Sequence, residues 1–149
     1  MDTYVPLIST RAKGPLGIAH LPRLWLKMLM ASKGKLADGY RAGKGGFDGT
    51  LLDALGLDAD DAIAYIAEHE PTYLAFEAWV REHANQDGLQ PEAIARLNER
   101  ILTFPKPEPA RSETLDLLGL PDDETVWLGT DLNALEDWHS FHQALLDAG

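Results

Sequence analysis

The sequence contains no cysteine, and this absence excludes several kinds of chemistry at once. Disulfide bonds, thiolate nucleophiles and cysteine-ligated zinc or iron–sulfur sites are impossible, so any metal would need His, Asp or Glu ligands. A chain without cysteine is also compatible with a reducing compartment. We expect a cytoplasmic protein that holds no metal and no cofactor.

Long hydrophobic runs and an export signal are missing too. The longest apolar stretch, around residues 24–31, is interrupted by Lys27 and is much shorter than the roughly 20 residues that cross a bilayer. The first six residues lack the basic start and the apolar run of a signal peptide. We therefore expect a soluble protein that does not bind membranes.

Positive charge is scarce, because 13 Lys and Arg residues stand against 24 Asp and Glu residues and give a net charge of −11. Such a surface repels polyanions at long range, which argues against nucleic acid as a partner. The charge is uneven, however. Residues 1–45, here called the basic front, carry eight basic and two acidic residues, a net charge of +6, whereas residues 46–149 carry five and 22. Patches of both signs are expected.

Helical patterns dominate the remainder of the sequence. The 149 residues are 45% hydrophobic, which is enough for one domain with a real core. Tyr73, Phe76 and Val80 follow helical spacing, and we expect the aromatic stripes around Trp79 and Trp138 to lie in the core. We predict an all-α fold, a single compact bundle of about six helices, some of them short. It carries an N-terminal arm (1–19), a Gly-rich loop (34–49) and a Pro-rich connector (105–111).

Local signals predict where several helices begin. Pro22 suits the first turn of a helix, because its missing N–H costs nothing there. A second helix is expected from Thr50. Asp58, Ser112 and Asp131 are each expected to cap a later helix, since their side-chain oxygens can accept from free backbone N–H groups.

The Gly-rich loop is the stretch most suggestive of a ligand. Glycines let backbone N–H groups converge on an anion, Lys44 adds a charge, and the helix that begins at Asp48 or Thr50 favours negative ligands at its N-terminus. Its spacing matches neither the Walker nor the dinucleotide-binding motif. The alternative interpretation is a loop whose glycines only supply positive φ angles.

Histidines and serines give weaker signals. His139 and His142 lie three residues apart, and His69 and His83 flank the helix that carries Trp79, so a histidine metal site is conceivable. No His-Glu-x-x-His motif is present, and hydrogen-bonded histidines at the edge of a core are the more ordinary outcome. No serine lies in a Gly-x-Ser-x-Gly elbow. Catalytic residues therefore remain unassigned.

Several short motifs resemble those of a known family. They are Pro6-Leu7-Ile8-Ser9-Thr10-Arg11, Gly17, His20-Leu21-Pro22-Arg23 followed by Lys27, Gly46-Phe47-Asp48, Leu51-Leu52, Leu55-Gly56-Leu57 and Leu97-Asn98-Glu99-Arg100. In these motifs, residues 5–100 resemble the DUF5069 domain family, small bacterial proteins of unknown function. The resemblance implies a compact bacterial cytoplasmic protein and supplies no activity.

The same resemblance shows which polar residues recur in the pattern. Besides the acidic Asp48, they are basic residues of the front, namely Arg11, His20, Arg23 and Lys27. The chain departs from the family pattern at residues 26 and 29, where leucines replace an acidic and a basic residue. A polar site on that helix face is weakened accordingly.

Together these features favour a binding module. The predicted ligand-binding residues, which would hold an anionic small molecule or an acidic partner segment, are Arg11, His20, Arg23, Lys27, Lys44 and Asp48. A first alternative is an enzyme in which His20 acts as general acid or base and Asp48 orients it. A second alternative is a homodimer in which the basic front neutralises the acidic body of another copy.

Overall fold

The computed structural model describes residues 2–148, most of which are helical. The α-helices are α1 (Leu21–Ser32), α2 (Gly46–Leu55), α3 (Ala59–His69), α4 (Tyr73–His83), α5 (Pro91–Leu102), α6 (Ala110–Leu118) and α7 (Gly129–Asp147). A 3₁₀ turn at Gln86–Leu89 precedes α5. Within these residues extended pairing is limited to two isolated bridges, Tyr4 with Leu36 and Pro105 with Leu128. The all-α prediction is confirmed, with seven helices rather than about six.

One apolar core joins the first five helices. Its fully buried members include Leu24 of α1, Leu51 of α2, Ile66 of α3, Phe76 of α4 and Ile101 of α5. Burying each of these side chains contributes about 1.5–3 kcal/mol to stability. Among residues 2–148, no helix has the length and apolar character that a membrane crossing requires.

The N-terminal arm lies against this core in non-helical conformation. Ile18 and Ala19 are completely buried. Asn98 of α5 holds the arm at two points: its Oδ1 accepts from the Ala19 N–H and its amide donates to the Gly17 carbonyl, both at 2.8 Å. The backbone just before α1 is therefore fixed by a residue far along the chain.

Several predicted boundaries need correction. The Gly-rich loop ends at Gly45, because α2 begins at Gly46 rather than at Thr50. Ser112 and Asp131 are not caps: each lies inside the first turn of its helix, after α6 starts at Ala110 and α7 at Gly129. The expectation for Asp58 is correct, since its carboxylate accepts from the Asp61 N–H at 3.0 Å.

Helix α7 exposes much of its apolar surface. Leu132 is buried, as is Leu115 of α6, and these two helices pack together. Trp138 is 63% exposed, and Phe141, Leu145 and Leu146 are also exposed. The prediction that the stripe around Trp138 lies in the core is therefore wrong, because no neighbouring element within residues 2–148 covers the second half of this long helix.

Candidate functional site

His20 occupies an unusual backbone position at the start of α1. It is the N-cap residue and has a φ of 74°, in the left-handed region that non-glycine residues rarely adopt. This conformation turns its side chain into the protein, where only 1% of the residue is exposed. The ring packs edge to face against Phe47, with centroids 5.6 Å apart.

Both ring nitrogens of His20 have partners. Nε2 donates to Asp48 Oδ1 at 2.6 Å, and Nδ1 lies 3.1 Å from the hydroxyl of Thr10, which donates to it when the ring is neutral. Burial lowers the pKa of the imidazole below its ordinary value, although the hydrogen bond and the charge of Asp48 oppose this shift. A neutral ring with the proton on Nε2 gives a hydrogen-bond partner to both ring nitrogens, to the Thr10 hydroxyl and to Asp48 Oδ1.

Asp48, in the first turn of α2, is the centre of the network. Besides His20, its carboxylate accepts from the Gly43 N–H at 2.9 Å and pairs with the ammonium of Lys27 at 2.8 Å. Burial opposes its charged form, but the hydrogen bond from His20 and the charge of Lys27 outweigh burial and lower the pKa of Asp48. The carboxylate thus ties α1, α2 and the Gly-rich loop together.

Two glycines set the path of the Gly-rich loop beside Asp48. Gly43 and Gly45 have φ angles of 89° and 73°, which residues with a Cβ rarely adopt. This path delivers the Gly43 N–H to Asp48 and starts α2 without a side-chain cap. The N-terminus of α2 therefore keeps backbone N–H groups that no capping side chain satisfies.

A cleft of about 540 Å³ opens beside this network. Its walls come from α1, the end of the Gly-rich loop, the start of α2, the end of α5, the segment that leads into α6 and the start of α7. Asp48 is its one acidic lining residue, whereas five basic residues line it, Lys27, Arg41, Lys44, Arg100 and Lys106. Because Asp48 is already paired with Lys27, the lining as a whole has an excess of positive charge.

The basic lining residues differ in their existing partners. Lys44 pairs with Asp60 at 3.0 Å, and Lys106 donates to Asn133 at 2.9 Å and pairs with Glu136 at 3.8 Å. Within residues 2–148, Arg41 and Arg100 form no ion pair, and both are exposed. These two guanidinium groups are the cations most available to a ligand.

The structure divides the six residues predicted to bind a ligand into two groups. His20, Lys27, Lys44 and Asp48 line the cleft. Arg11 and Arg23 lie outside its lining. Arg11 is an exposed partner of Asp131 at 2.9 Å.

Arg23 is buried in a network of its own. Its guanidinium forms a bidentate pair with Asp137 of α7, at 2.6 and 3.1 Å, and also donates to the carbonyls of Pro6 and Ile8. The Tyr40 hydroxyl donates to the same carboxylate at 2.9 Å, and burial raises the pKa of this phenol. Arg23 therefore ties the N-terminal arm to α7, and it lies outside the lining of the cleft.

Three cleft residues were missed by the sequence interpretation. Arg41 lies within the glycine run, where the prediction named Lys44 as the ligand-binding cation. Arg100 and Lys106 belong to the acid-rich remainder, where a net count hides individual cations. Arg100 could have been recognised as a candidate from its place in the Leu97-Asn98-Glu99-Arg100 motif. Asn98 of the same motif binds the N-terminal arm.

Much of the basic front is neutralised within the same chain. Five of its eight basic residues pair with acidic residues from later in the sequence, namely Arg11, Arg23, Lys27, Lys33 and Lys44. The compositional split is therefore largely an internal electrostatic match. Less charge remains for pairing with a second copy, and dimerisation stays a prediction.

In the described part of the chain, no three His, Asp or Glu side chains come together as a group that could hold a metal ion. His83, one of the histidines considered as a ligand, instead stacks on Trp79 and hydrogen-bonds to its carbonyl at 2.9 Å.

The fold and this site define an all-α protein with a basic cleft beside a buried His–Asp–Lys network. The chain matches no protein-family model, and no curated protein shows a significant match to it. The resemblance to the DUF5069 domain family therefore stays a prediction.

Proposed function

We propose that this protein binds a small anionic molecule in the basic cleft. The observation that carries the proposal is the lining itself: five basic side chains surround one carboxylate that Lys27 and His20 already engage. Cations in a concave wall focus a positive potential more strongly than the same cations on a convex surface. The cytoplasmic, bacterial setting expected from the sequence belongs to the same proposal.

Shape favours a small molecule over an acidic partner segment. The cations face into a cleft whose volume, about 540 Å³, falls within the range of small-molecule sites. The protein as a whole carries a charge of −11. An acidic protein would therefore be repelled by most of the surface, whereas a small anion meets mainly the local field of the cleft.

Inorganic pyrophosphate is a suitable probe because it presents anionic oxygens and has no organic group. Isothermal titration calorimetry should show binding that weakens as salt rises, since exposed charges are screened. Replacing both free guanidinium groups, in the variant Arg41→Gln/Arg100→Gln, should weaken binding at least about tenfold, because hydrogen bonds to charged groups are the stronger ones.

The matched control is Arg96→Gln, on the same helix as Arg100 but outside the cleft. This variant should bind pyrophosphate as the unmodified protein does. Absence of pyrophosphate binding at low salt, or equal weakening by Arg96→Gln, would overturn the proposal.

The acid–base alternative draws on one observation, the 2.6 Å contact between His20 and Asp48. This distance is within the range that direct proton transfer needs. Reaction at the ring would nevertheless require a ligand to displace Thr10, because both nitrogens have partners and the residue is 1% exposed. The geometry therefore favours a positioning role, in which His20 holds Asp48 and thereby the Gly-rich loop.

Nitrogen NMR of the imidazole separates these two roles. A positioning role predicts that His20 keeps its proton on Nε2 when pyrophosphate saturates the cleft. A change of tautomer or of protonation on binding would instead support the enzymatic alternative.

A further inference from the structure

The cleft has an apolar side that an inorganic anion would leave unused. Phe47, Phe104, Pro107 and Ala110 line it together with the basic residues. Apolar walls with a few placed polar groups are typical of sites for organic ligands. The lining therefore contains information about the ligand beyond its charge.

Phe104 is the most informative of these residues. It directly follows the last turn of α5 and is 45% exposed. Other large apolar side chains of residues 2–148 are equally exposed, but Phe104 is the one among them that lines the cleft. Its exposure thus coincides with the basic site.

The ring of Phe104 is held in a fixed environment. It packs edge to face against Phe47, with centroids 6.0 Å apart and planes at 77°. Its backbone carbonyl accepts from the Gly129 N–H at 2.8 Å. Gly129 also leaves room for Phe47, because a Cβ there would lie 2.9 Å from the Phe47 ring. The aromatic pair is therefore positioned before any ligand arrives.

We propose that the ligand is a phosphate ester of an aromatic or heteroaromatic compound, with its ring packed on Phe104 and its phosphate held by the basic residues. This inference rests on the proposed anion-binding function. An aromatic ring is favoured over an aliphatic chain because aromatic pairs gain from their quadrupoles as well as from buried area. Arg100 near the end of α5 and Phe104 just beyond that helix both line the cleft, so the cleft offers a cation and a ring together.

Three phosphate monoesters test the inference by calorimetry: phenyl phosphate, cyclohexyl phosphate and methyl phosphate. Phenyl phosphate should bind about tenfold tighter than methyl phosphate, and more tightly than cyclohexyl phosphate, which has similar size without a π face. In Phe104→Leu this preference for phenyl phosphate should disappear. The control Phe141→Leu, an exposed phenylalanine of α7 outside the cleft, should retain it.

Pyrophosphate binding is measured on every variant, so that loss of folding is recognised separately from loss of the ring contact. Equal affinity for the three esters would overturn the inference and leave the anion-binding function standing. Equal affinity for phenyl and cyclohexyl phosphate would overturn the aromatic requirement. Failure of pyrophosphate and all three esters to bind would overturn the proposed function itself.

Discussion

Two buried ionic networks begin on helix α1, and they differ in what they face. Arg23 meets Asp137 of α7, together with Tyr40 and two carbonyls of the N-terminal arm. Lys27, one turn later, meets Asp48 and lines the cleft. Both networks pair a front cation with a buried carboxylate, but only the second borders space that a ligand could enter.

The two cations also differ in how they are bound. The planar guanidinium of Arg23 donates from its two terminal nitrogens to one carboxylate and two carbonyls. An ammonium has three donors, and Lys27 pairs with a single carboxylate that two other groups also engage. The Arg23 network lies outside the cleft lining and is here called closed, whereas the Lys27 network lines the cleft and is here called open.

The largest expected effect is on stability, from opening the closed network. Asp137→Ala leaves the buried guanidinium of Arg23 without its carboxylate, so the free energy of unfolding should fall by about 3 kcal/mol or more. Urea unfolding followed by circular dichroism measures this change. Asp131→Ala, on the same helix and paired with the exposed Arg11, should lower it by about 1 kcal/mol at most. Similar losses in the two variants would contradict the distinction between closed and exposed pairs.

A smaller loss is expected where the open network meets the Gly-rich loop. Gly43→Ala forces a Cβ into a φ of 89° and to within 2.8 Å of Ile63, so stability should fall by about 2 kcal/mol. Pyrophosphate binding should weaken as well, because the Gly43 N–H no longer reaches Asp48 in the same geometry.

The matched control for this prediction lies a few residues along the chain. Gly49 is in α2 with ordinary helical backbone, and a Cβ there would meet nothing within 4 Å. Gly49→Ala should therefore raise stability by up to about 1 kcal/mol. If Gly43→Ala left the free energy of unfolding unchanged, the loop would not depend on the positive φ angle of its glycine.

A pH-dependent effect separates the two networks, because only the open one contains a histidine. Burial lowers the pKa of His20, so the unfolded chain takes up a proton near pH 6.5 that the folded protein resists. Stability should therefore decrease as the pH falls below 6.5. The lowered pKa of Asp48 adds a further loss only below about pH 3.8.

His20→Asn tests the origin of this decrease, since Asn tolerates the left-handed conformation at position 20. Thermal unfolding between pH 7 and 5 should lose much of its pH dependence in this variant. Replacing the exposed His69 by Asn should leave the dependence in place. An unchanged profile in His20→Asn would assign the effect to other groups.

Local sequence signals predicted most of the fold. Helical periodicity and the Asp58 cap are set by neighbours along the chain, which a sequence displays directly. The exposed half of α7 could not be foreseen in the same way, because the apolar spacing of Trp138 and Leu145 is the same whether or not another element covers it. Burial depends on packing partners that spacing does not encode.

The candidate site was predictable in part for a similar reason. Pairing of His20 with Asp48 was inferred from residue types, and the Gly-rich loop does bring them together. The structural role of Arg23 was not predicted, because its partner Asp137 is 114 residues away in the sequence. Arg100 was overlooked because the net charge of residues 46–149 does not show individual basic residues. Folding brings this one to the cleft.

The smallest stability effect and a clear binding effect are expected at Lys44. It is exposed and paired with Asp60, so Lys44→Gln should change the free energy of unfolding by about 0.5 kcal/mol or less. Pyrophosphate affinity should nevertheless fall about threefold at low salt and less at high salt, because Lys44 contributes to the field of the cleft. Lys33→Gln removes an equivalent exposed pair, with Glu70, outside the cleft lining. If both variants weakened binding equally, the overall charge of the protein would govern affinity, and not the cleft. The contrast between the closed network and the open network would then have no functional meaning.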